Sequence, residues 1–171
     1  MLSDLTWQKY PDTCASCHKN PCICPAPISY IFISYPEELG NEKDLLKTRI
    51  EERLHLQVVS FPEFQNVSIP EGIMNRAFQL INTCDAIVVL IGSGFSPSVY
   101  AEFLEADYRL EHDNIFVGVK NGQKDAQVLS FIERIKSRYI YDVFNNTDEL
   151  NNKILSRLRV AINKFKSWEH G

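Results

Sequence analysis

Residues 85–102 read DAIVVLIGSGFSPSVYAE, and this stretch decides the fold. Residues 86–91 form an unbroken apolar run, mostly β-branched, which is typical of a parallel strand covered on both faces. Residues 92–98 then bring two glycines, three serines and a proline, which end the strand and form a loop. Apolar residues at helical spacing resume after the loop. The stretch therefore predicts a buried strand, a loop and a helix in direct succession.

The same unit recurs along the chain. The predicted strands are at 30–33, 56–60, 86–91, 115–119 and 139–141, and the predicted helices are at 41–54, 73–81, 103–110, 126–136 and 148–165. Strands that alternate with helices form βαβ units and a mainly parallel sheet. Because the first and third strands are the most apolar, we place them centrally. This gives a flavodoxin-like, doubly wound α/β fold with the strand order 2-1-3-4-5.

Composition excludes several classes of protein. The chain has 171 residues, of which 44% are apolar and 23% are charged, as in a globular domain rather than a disordered or fibrous chain. Its net charge of −4 argues against general nucleic-acid binding, which needs a basic surface. The longest apolar run is too short to cross a bilayer, and the first residues lack the apolar core of a secretory signal. We therefore expect a cytoplasmic protein that contacts neither membranes nor nucleic acids directly.

Most of the cysteines lie close together near the N-terminus. Four of the five lie within residues 14–24, namely Cys14, Cys17, Cys22 and Cys24. Four thiolates at this spacing suit one tetrahedral, structural Zn²⁺ ion, and they leave no open coordination position for catalysis. Redox-active thiols and unliganded cysteines are the alternatives. We therefore divide the chain into residues 1–27, a zinc knuckle with a proline-rich linker, and residues 28–171, the α/β domain.

Ligands of doubly wound sheets bind where the strand order reverses, which here is at the loops after the first and third strands. Neither loop carries the glycine pattern of a Rossmann pyrophosphate turn or of a P-loop. Glycines allow a ligand to approach the backbone, and hydroxyl groups hold ribose or phosphate. On this basis the candidate substrate-binding residues are Ser34, Tyr35, Gly92, Ser93, Phe95, Ser96, Ser98 and Tyr100.

Two acidic residues follow the second of these loops. Glu102 and Glu105 are three residues apart, so a helix would place both carboxylates roughly on one face. Glu102 is close enough to the loop to point into the crevice, and it is our candidate catalytic residue. The alternative is that both are ordinary acidic residues near a helix N-terminus, where the helix dipole stabilises them.

The chain resembles a TIR-type domain over about residues 29–165. The matching segments are YIFISY at 30–35, IPEGI at 69–73, the apolar run at 86–91, and then Ser96, Glu102 and Ala106. They resemble, in order, the opening TIR strand with its signature, the proline-glycine loop after strand two, and the third βα unit with its serine, glutamate and alanine. Within that family the chain is most similar to bacterial TIR-like domains that often precede STAND-type ATPases.

The resemblance implies an activity. In catalytic TIR domains the matching glutamate cleaves the nicotinamide–ribose bond of NAD⁺. This implies an NAD(P)⁺ glycohydrolase in bacterial stress or anti-phage signalling, with Glu102 as the catalytic residue and NAD⁺ as substrate rather than cofactor. Self-association or a STAND-type partner is implied as well. The family's tryptophan four residues before the glutamate is Ser98 here, which leaves Phe95 or Tyr100 to supply an aromatic surface.

The implied chemistry needs little more than one carboxylate. Breaking an N-glycosidic bond builds positive charge on the ribose ring, which a carboxylate stabilises or traps. One alternative is a non-catalytic module that binds nucleotides or like domains, since the tryptophan is missing. Another is an enzyme similar to nucleoside deoxyribosyltransferases, which also place an alanine four residues after the glutamate. Residues 98–101 lack the aspartate and Gly-Thr pair that those enzymes usually carry.

Overall fold

The computed structural model describes residues 28–60 and 71–170. Its strands are β1 (Tyr30–Ser34), β2 (Gln57–Val59), β3 (Ala86–Ile91), β4 (Ile115–Lys120) and β5 (Tyr141–Phe144). Its helices are α1 (Gly40–Leu54), α2 (Glu71–Thr83), α3 (Pro97–Arg109), α4 (Ala126–Lys136) and α5 (Thr147–His170), and short 3-10 turns lie at Glu37–Leu39 and His112–Asn114. The four clustered cysteines of the proposed zinc knuckle lie outside the described residues.

All five strands pair in parallel, in the order β2-β1-β3-β4-β5. β3 is the central strand, and each of its residues is buried. Its Ile87 aligns with Phe32 of β1 on one side and with Ile115 of β4 on the other. The structure therefore confirms the α/β fold class and the predicted strand order.

Helices cover both faces of the sheet. One core cluster joins the sheet to α2, α3 and α4, and the other joins it to α1 and α5. β3 contributes Ile87, Val89 and Ile91 to the first cluster and Ala86, Val88 and Leu90 to the second. Because successive side chains of a strand point to opposite faces, one apolar run supplies both cores. An unbroken apolar run is what this double burial requires.

One strand begins later than predicted. A strand was expected at 139–141, but β5 begins at Tyr141 and ends at Phe144. Tyr139 is buried, yet its amide donates to the carbonyl of Ile135 at the end of α4, and its ring lies 5.7 Å from that of Phe103. Tyr139 is therefore buried because it packs at the end of α4. From the sequence alone, a buried aromatic residue at the end of a helix looks the same as one in a strand.

The outer surfaces of the helices carry ion pairs. Arg109 lies 3.3 Å from Glu105 on α3, and Lys136 lies 3.0 Å from Glu133 on α4.

Across the two described ranges, no helix combines the length and the apolar character that crossing a membrane requires.

Candidate active site

The carboxyl ends of β1 and β3 lie side by side, because Ser34 at the end of β1 aligns with Val89 of β3. The chain continues from β1 to α1 on one face of the sheet and from β3 to α3 on the other. Doubly wound sheets bind ligands in the crevice between two such loops, where a small cavity is lined here by Pro36, Gly92, Gly94, Phe95 and Ser96. We call residues 92–95, which lead from β3 towards α3, the glycine loop.

Glu102 and Ser34 form a buried hydrogen-bonded pair at the same end of the sheet. Ser34 Oγ donates to Glu102 Oε1 over 3.0 Å. The exposed fraction is 1% for Ser34 and 7% for Glu102, although most buried residues of the described chain are apolar. Burial of a carboxyl group at this depth costs free energy, so its presence needs a functional or structural reason.

The two-residue period of β1 and the helical period of α3 direct Ser34 and Glu102 towards the same core. Ser34 follows Phe32 by two residues on β1, so both side chains point to the face that α3 covers. Glu102 belongs to the buried stripe of α3, together with Val99, Phe103 and Ala106. Each of the two polar residues therefore occupies a position where an apolar residue would otherwise extend the core.

Burial raises the pKa of Glu102 to about 7, because the carboxylate loses its hydration. The hydrogen bond from Ser34 opposes part of this rise, since it stabilises the charged form. Near neutral pH the group therefore exchanges between acid and carboxylate. A carboxyl group with a strongly raised pKa at the ligand-binding end of a sheet is typical of functional sites.

A second carboxylate, Glu38 in the 3-10 turn, contacts the glycine loop. Its Oε2 accepts a hydrogen bond from Ser93 Oγ over 2.7 Å, and its Oε1 accepts one from the Gly94 amide over 3.1 Å. Partial burial works against its ionisation, but these hydrogen bonds and the charge of Lys120 lower the pKa of Glu38. Glu38 therefore presents a fixed negative charge to the loop at neutral pH.

Asp125, the N-cap of α4, holds the same loop from the other side. Its carboxylate accepts hydrogen bonds from the amides of Phe95 over 2.9 Å and of Val128 over 2.8 Å, and its own amide donates to the Ser93 carbonyl over 3.1 Å. The hydrogen bonds from Val128 and Phe95 lower the pKa of Asp125. Two carboxylates from different elements thus fix the loop.

The serines that follow the loop lie at the start of α3. Ser96 is the N-cap, with its Oγ accepting from the Val99 amide over 3.4 Å. The hydroxyl of Ser98 lies 3.1 Å from that of Ser96, so the two form a hydrogen-bonded pair. Both hydroxyls therefore lie between the glycine loop and the helix turn that carries Glu102.

The two aromatic candidates pack together between α3 and α4. The ring centroids of Phe95 and Tyr100 are 5.6 Å apart, and those of Tyr100 and Phe131 are 5.0 Å apart. The Tyr100 hydroxyl accepts a hydrogen bond from Arg134 over 3.0 Å. These rings therefore support the glycine loop from the α4 side.

Tyr35 and Glu105, both named from the sequence, lie outside the pair of Glu102 and Ser34. Tyr35 follows Ser34 by one residue and packs against the core under α1 and α5, with Lys43 Nζ 4.7 Å from its ring centroid. Glu105 pairs with Arg109, so it does not share the buried position of Glu102. Ser34 contacts Glu102, whereas Gly92 and Ser93 contact Glu38. Ser96 and Ser98 lie at the start of α3, Phe95 packs on Tyr100, and Tyr35 packs on the other face of the sheet.

The sequence analysis missed Glu38 and Asp125. Asp125 directly precedes an apolar helical pattern, and an aspartate at that position is a known signal for a helix N-cap. Glu38 has no comparable signal, because a glutamate in a polar turn looks like ordinary surface charge. Its role follows from the pairing of β1 with β3, which brings the two loops together.

A larger groove, of about 990 Å³, lies at the opposite end of the sheet, next to the starts of β4 and β5. Its arginines are already paired, Arg138 with Asp107 over 2.8 Å and Arg157 with Asp142 over 2.9 Å. Doubly wound sheets bind their ligands at the carboxyl ends of the strands. We therefore place the candidate active site at Glu102 rather than in this groove.

Within residues 28–60 and 71–170, no three histidine, cysteine, aspartate or glutamate side chains are arranged to hold a metal ion. The proposed zinc ligands precede these ranges, so the prediction of structural zinc is independent of the candidate active site.

Comparison with known proteins adds a structural neighbour. No protein-family model matches the chain, and no curated protein sequence is significantly similar to it. The solved structure of the CMP N-glycosidase BcmB from Clostridium botulinum matches with a TM-score of 0.53 and 17% identity, over 75% of this chain and 99% of that one. A diflavin flavoprotein A3 from Nostoc sp. matches with a TM-score of 0.46 and 10% identity, over 84% of this chain and 95% of that one.

These matches differ in weight. At 17% identity the similarity to the N-glycosidase shows a shared fold. The TM-score of 0.46 is too low to support an argument. Neither of the two is named as a TIR domain, so the TIR resemblance stays a prediction.

Proposed function

We propose that this protein hydrolyses the N-glycosidic bond of a nucleotide, with Glu102 as the catalytic carboxylate. The observation that carries the proposal is the buried pair of Glu102 and Ser34 at the carboxyl end of the sheet, where the pKa of the carboxyl group is raised to about 7. A solved structure with the same fold is named as a CMP N-glycosidase, which supports the same class of reaction.

The ionised form of Glu102 would act on the anomeric carbon of the sugar. As the bond from C1′ to nitrogen breaks, its electron pair leaves with the base and positive charge builds on the ribose ring. The carboxylate stabilises that charge until water adds to C1′ and releases a proton, or it bonds to C1′ itself until water cleaves the resulting ester and restores the carboxylate. Electrostatic stabilisation of this kind in a partly dry cleft is worth several kcal/mol. Ser34 holds Oε1 and so positions the carboxylate.

NAD⁺ is the first substrate that we propose, because the TIR resemblance implies it. Its nicotinamide leaves from a cationic ring as a neutral molecule, so the reaction needs no acid and one carboxylate is sufficient. A pyrimidine nucleotide is the second, because the structural neighbour is named for CMP. A pyrimidine base leaves more easily when it is protonated, and this reaction therefore needs a proton donor as well.

Base release tests the proposal directly. Purified protein is incubated with NAD⁺ or CMP, at protein concentrations that favour self-association, and free nicotinamide or cytosine is measured by chromatography. We expect one of the two bases to be released, and Glu102→Gln to lower the rate by about 10³-fold. Glu105→Gln is the matched control, because it makes the same change on the same helix beyond the crevice. Release of neither base, or equal rates for Glu102→Gln and wild type, would contradict the proposal.

We also propose self-association and a STAND-type partner. Like NAD⁺ as substrate, both are implied by the TIR resemblance. If the enzyme assembles its cleft by self-association, specific activity rises with protein concentration and follows the mass measured by light scattering. A constant specific activity across a monomeric concentration range would contradict a role for self-association.

We also propose that the cysteine cluster of residues 14–24 holds structural zinc. Protein purified without chelator should contain about one zinc ion per chain, as four thiolates saturate a tetrahedral ion. Replacing the four cysteines by serine should abolish the metal without removing Glu102 from its site. Absence of stoichiometric metal in the unmodified protein would refute this prediction.

A further inference from the structure

The carboxylate of Glu38 occupies hydrogen-bond donors of the glycine loop. It accepts from the Ser93 hydroxyl over 2.7 Å and from the Gly94 amide over 3.1 Å. A backbone N–H in a glycine-containing loop, together with a hydroxyl group, is a donor set with which proteins bind phosphate groups. Here a side chain of the protein itself takes the position of that anion.

Gly92 makes this close approach possible. A Cβ at position 92 would lie 2.1 Å from Glu38 Oε1 and 2.6 Å from Glu38 Cδ, far inside van der Waals contact. The carboxylate therefore lies directly against the backbone of the loop. At Gly94 a Cβ would meet nothing within 4 Å. The two glycines of the loop thus differ in a way that substitution can test.

The charge of Lys120 acts on Glu38 at the loop, which also contacts the carboxylate of Asp125. Glu38 keeps its negative charge there, because hydrogen bonds from Ser93 and Gly94 and the charge of Lys120 outweigh the effect of partial burial on its pKa. Lys120 itself lies at the carboxyl end of β4, with its Nζ 3.0 Å from Glu42. A phosphate group would gain from the same hydrogen-bond donors, since charge-assisted hydrogen bonds are stronger than neutral ones, whereas Lys120 is already paired with Glu42.

The loop does not depend on Glu38 alone for its shape. Asp125 accepts from the Phe95 amide and donates to the Ser93 carbonyl, and both of these hydrogen bonds are independent of Glu38. The glycine loop also leads directly into α3, which carries Glu102. Removal of the Glu38 carboxylate is therefore expected to free the donors of Ser93 and Gly94 without displacing them from the crevice.

We propose that Glu38 is a specificity-determining residue whose carboxylate competes with the phosphate group of a substrate for the glycine loop. A phosphate-bearing ligand has to displace the Glu38 carboxylate, whereas a ligand that is neutral at this position does not. Glu38 thereby weakens the binding of a ligand whose phosphate group lies at the glycine loop, so NAD⁺ or CMP would have to displace its carboxylate or bind with the phosphate group elsewhere. The identity of the ligand as a substrate rests on the proposed N-glycosidase function, but the competition itself concerns binding alone.

Calorimetric titration with ribose 5-phosphate and with ribose tests the competition without any turnover. We expect Glu38→Ala to bind ribose 5-phosphate about tenfold more tightly than wild type, with its affinity for ribose unchanged. A tenfold gain in affinity corresponds to about one additional good hydrogen bond. Glu37→Ala is the matched control, because it removes the same group from the neighbouring exposed position of the same turn. Glu38→Gln, which keeps the size of the side chain, should give a smaller gain in the same direction.

Gly92→Ala and Gly94→Ala then locate the bound phosphate. In the Glu38→Ala background, a methyl group at position 92 would stand where the carboxylate oxygen lay, so Gly92→Ala should abolish the gain in affinity. Gly94→Ala adds its methyl group in open space and should preserve the gain. Equal affinity of wild type and Glu38→Ala for ribose 5-phosphate would overturn the proposal, as would a gain that Gly92→Ala leaves intact.

These outcomes are separable from those of the proposed function. A gain of affinity in Glu38→Ala supports competition at the loop even where neither NAD⁺ nor CMP is cleaved. If base release depends on Glu102 but Glu38→Ala gains no affinity, the catalytic proposal stands and the competition proposal fails.

Discussion

Glu102 and Glu38 lie at the same end of the sheet, and their surroundings shift their pKa values in opposite directions. Glu102 is 7% exposed and receives a hydrogen bond from Ser34, so desolvation dominates and raises its pKa to about 7. Glu38 is exposed and receives hydrogen bonds from Ser93 and Gly94, which lower its pKa. The balance between lost water and gained donors, rather than residue type, decides the direction.

The contrast assigns different tasks to the two carboxylates. A carboxyl group that exchanges its proton near neutral pH suits a reaction, because both of its protonation states are accessible there. A carboxylate that is fixed by donors suits occupancy of a binding position.

Neutralising Glu102 should have the largest effect on stability. The pKa of this group is about 7 in the folded protein against an ordinary value of 4.5, so the folded state binds the proton more tightly than the unfolded state. Wild-type stability should therefore fall as the pH rises from about 4.5 to about 7. Glu102→Gln escapes this loss and should exceed wild type by up to about 3 kcal/mol above pH 7, with little difference below pH 4.5.

Urea unfolding at several pH values measures this difference. Glu105→Gln should show no comparable pH-dependent gain, because Glu105 is not buried as Glu102 is. A difference between Glu102→Gln and wild type that does not change with pH would mean that Glu102 does not titrate in the folded protein as its burial requires.

Removing the hydroxyl of Ser34, which donates a hydrogen bond to Glu102, should have a smaller effect. This effect is a shift in the pH profile of base release. If Glu102 acts in its ionised form, the rate rises with pH through about 7 in wild type. Ser34→Ala removes the hydrogen bond that favours the charged form, so the midpoint should move to higher pH by up to about one unit. Ser29→Ala, just before the other end of β1, is the control. An unshifted midpoint in Ser34→Ala would show that Ser34 does not act through the charge of Glu102.

The sequence predicts the fold well because the relevant signals are local. The apolar run of β3 has no polar residue on either face, which only a doubly covered strand tolerates. Such apolar runs alternate with segments whose apolar residues have helical spacing. This alternation indicates a parallel, doubly wound sheet, in which few strand orders are possible. The start of β5 is an exception, since Tyr139 is buried by contacts at the end of α4.

The site is less predictable, since its parts meet through the pairing of strands. Glu102 is found from its spacing to the preceding loop, and Ser34 from its place at a strand end. Tyr35 directly follows β1 and packs on the opposite face from Ser34, as the two-residue alternation of the strand predicts when it is continued by one residue. Glu38 cannot be recognised in this way, because its contacts with Ser93 and Gly94 join residues more than fifty positions apart.

The smallest expected effect is a difference in Tm between variants of Asp125 and Glu38, the two carboxylates that hold the glycine loop. Asp125→Ala removes the N-cap of α4 as well as the hydrogen bond to Phe95, and should lower the Tm by a few degrees. Asp148→Ala, in the first turn of α5, is the control for loss of an exposed aspartate. Glu38→Ala should change the Tm less than Asp125→Ala, because Glu38 caps no helix and Asp125 still holds the loop. The reverse order would make Glu38 a structural residue, and its hydrogen bonds would then argue for loop stability rather than for competition with a phosphate group.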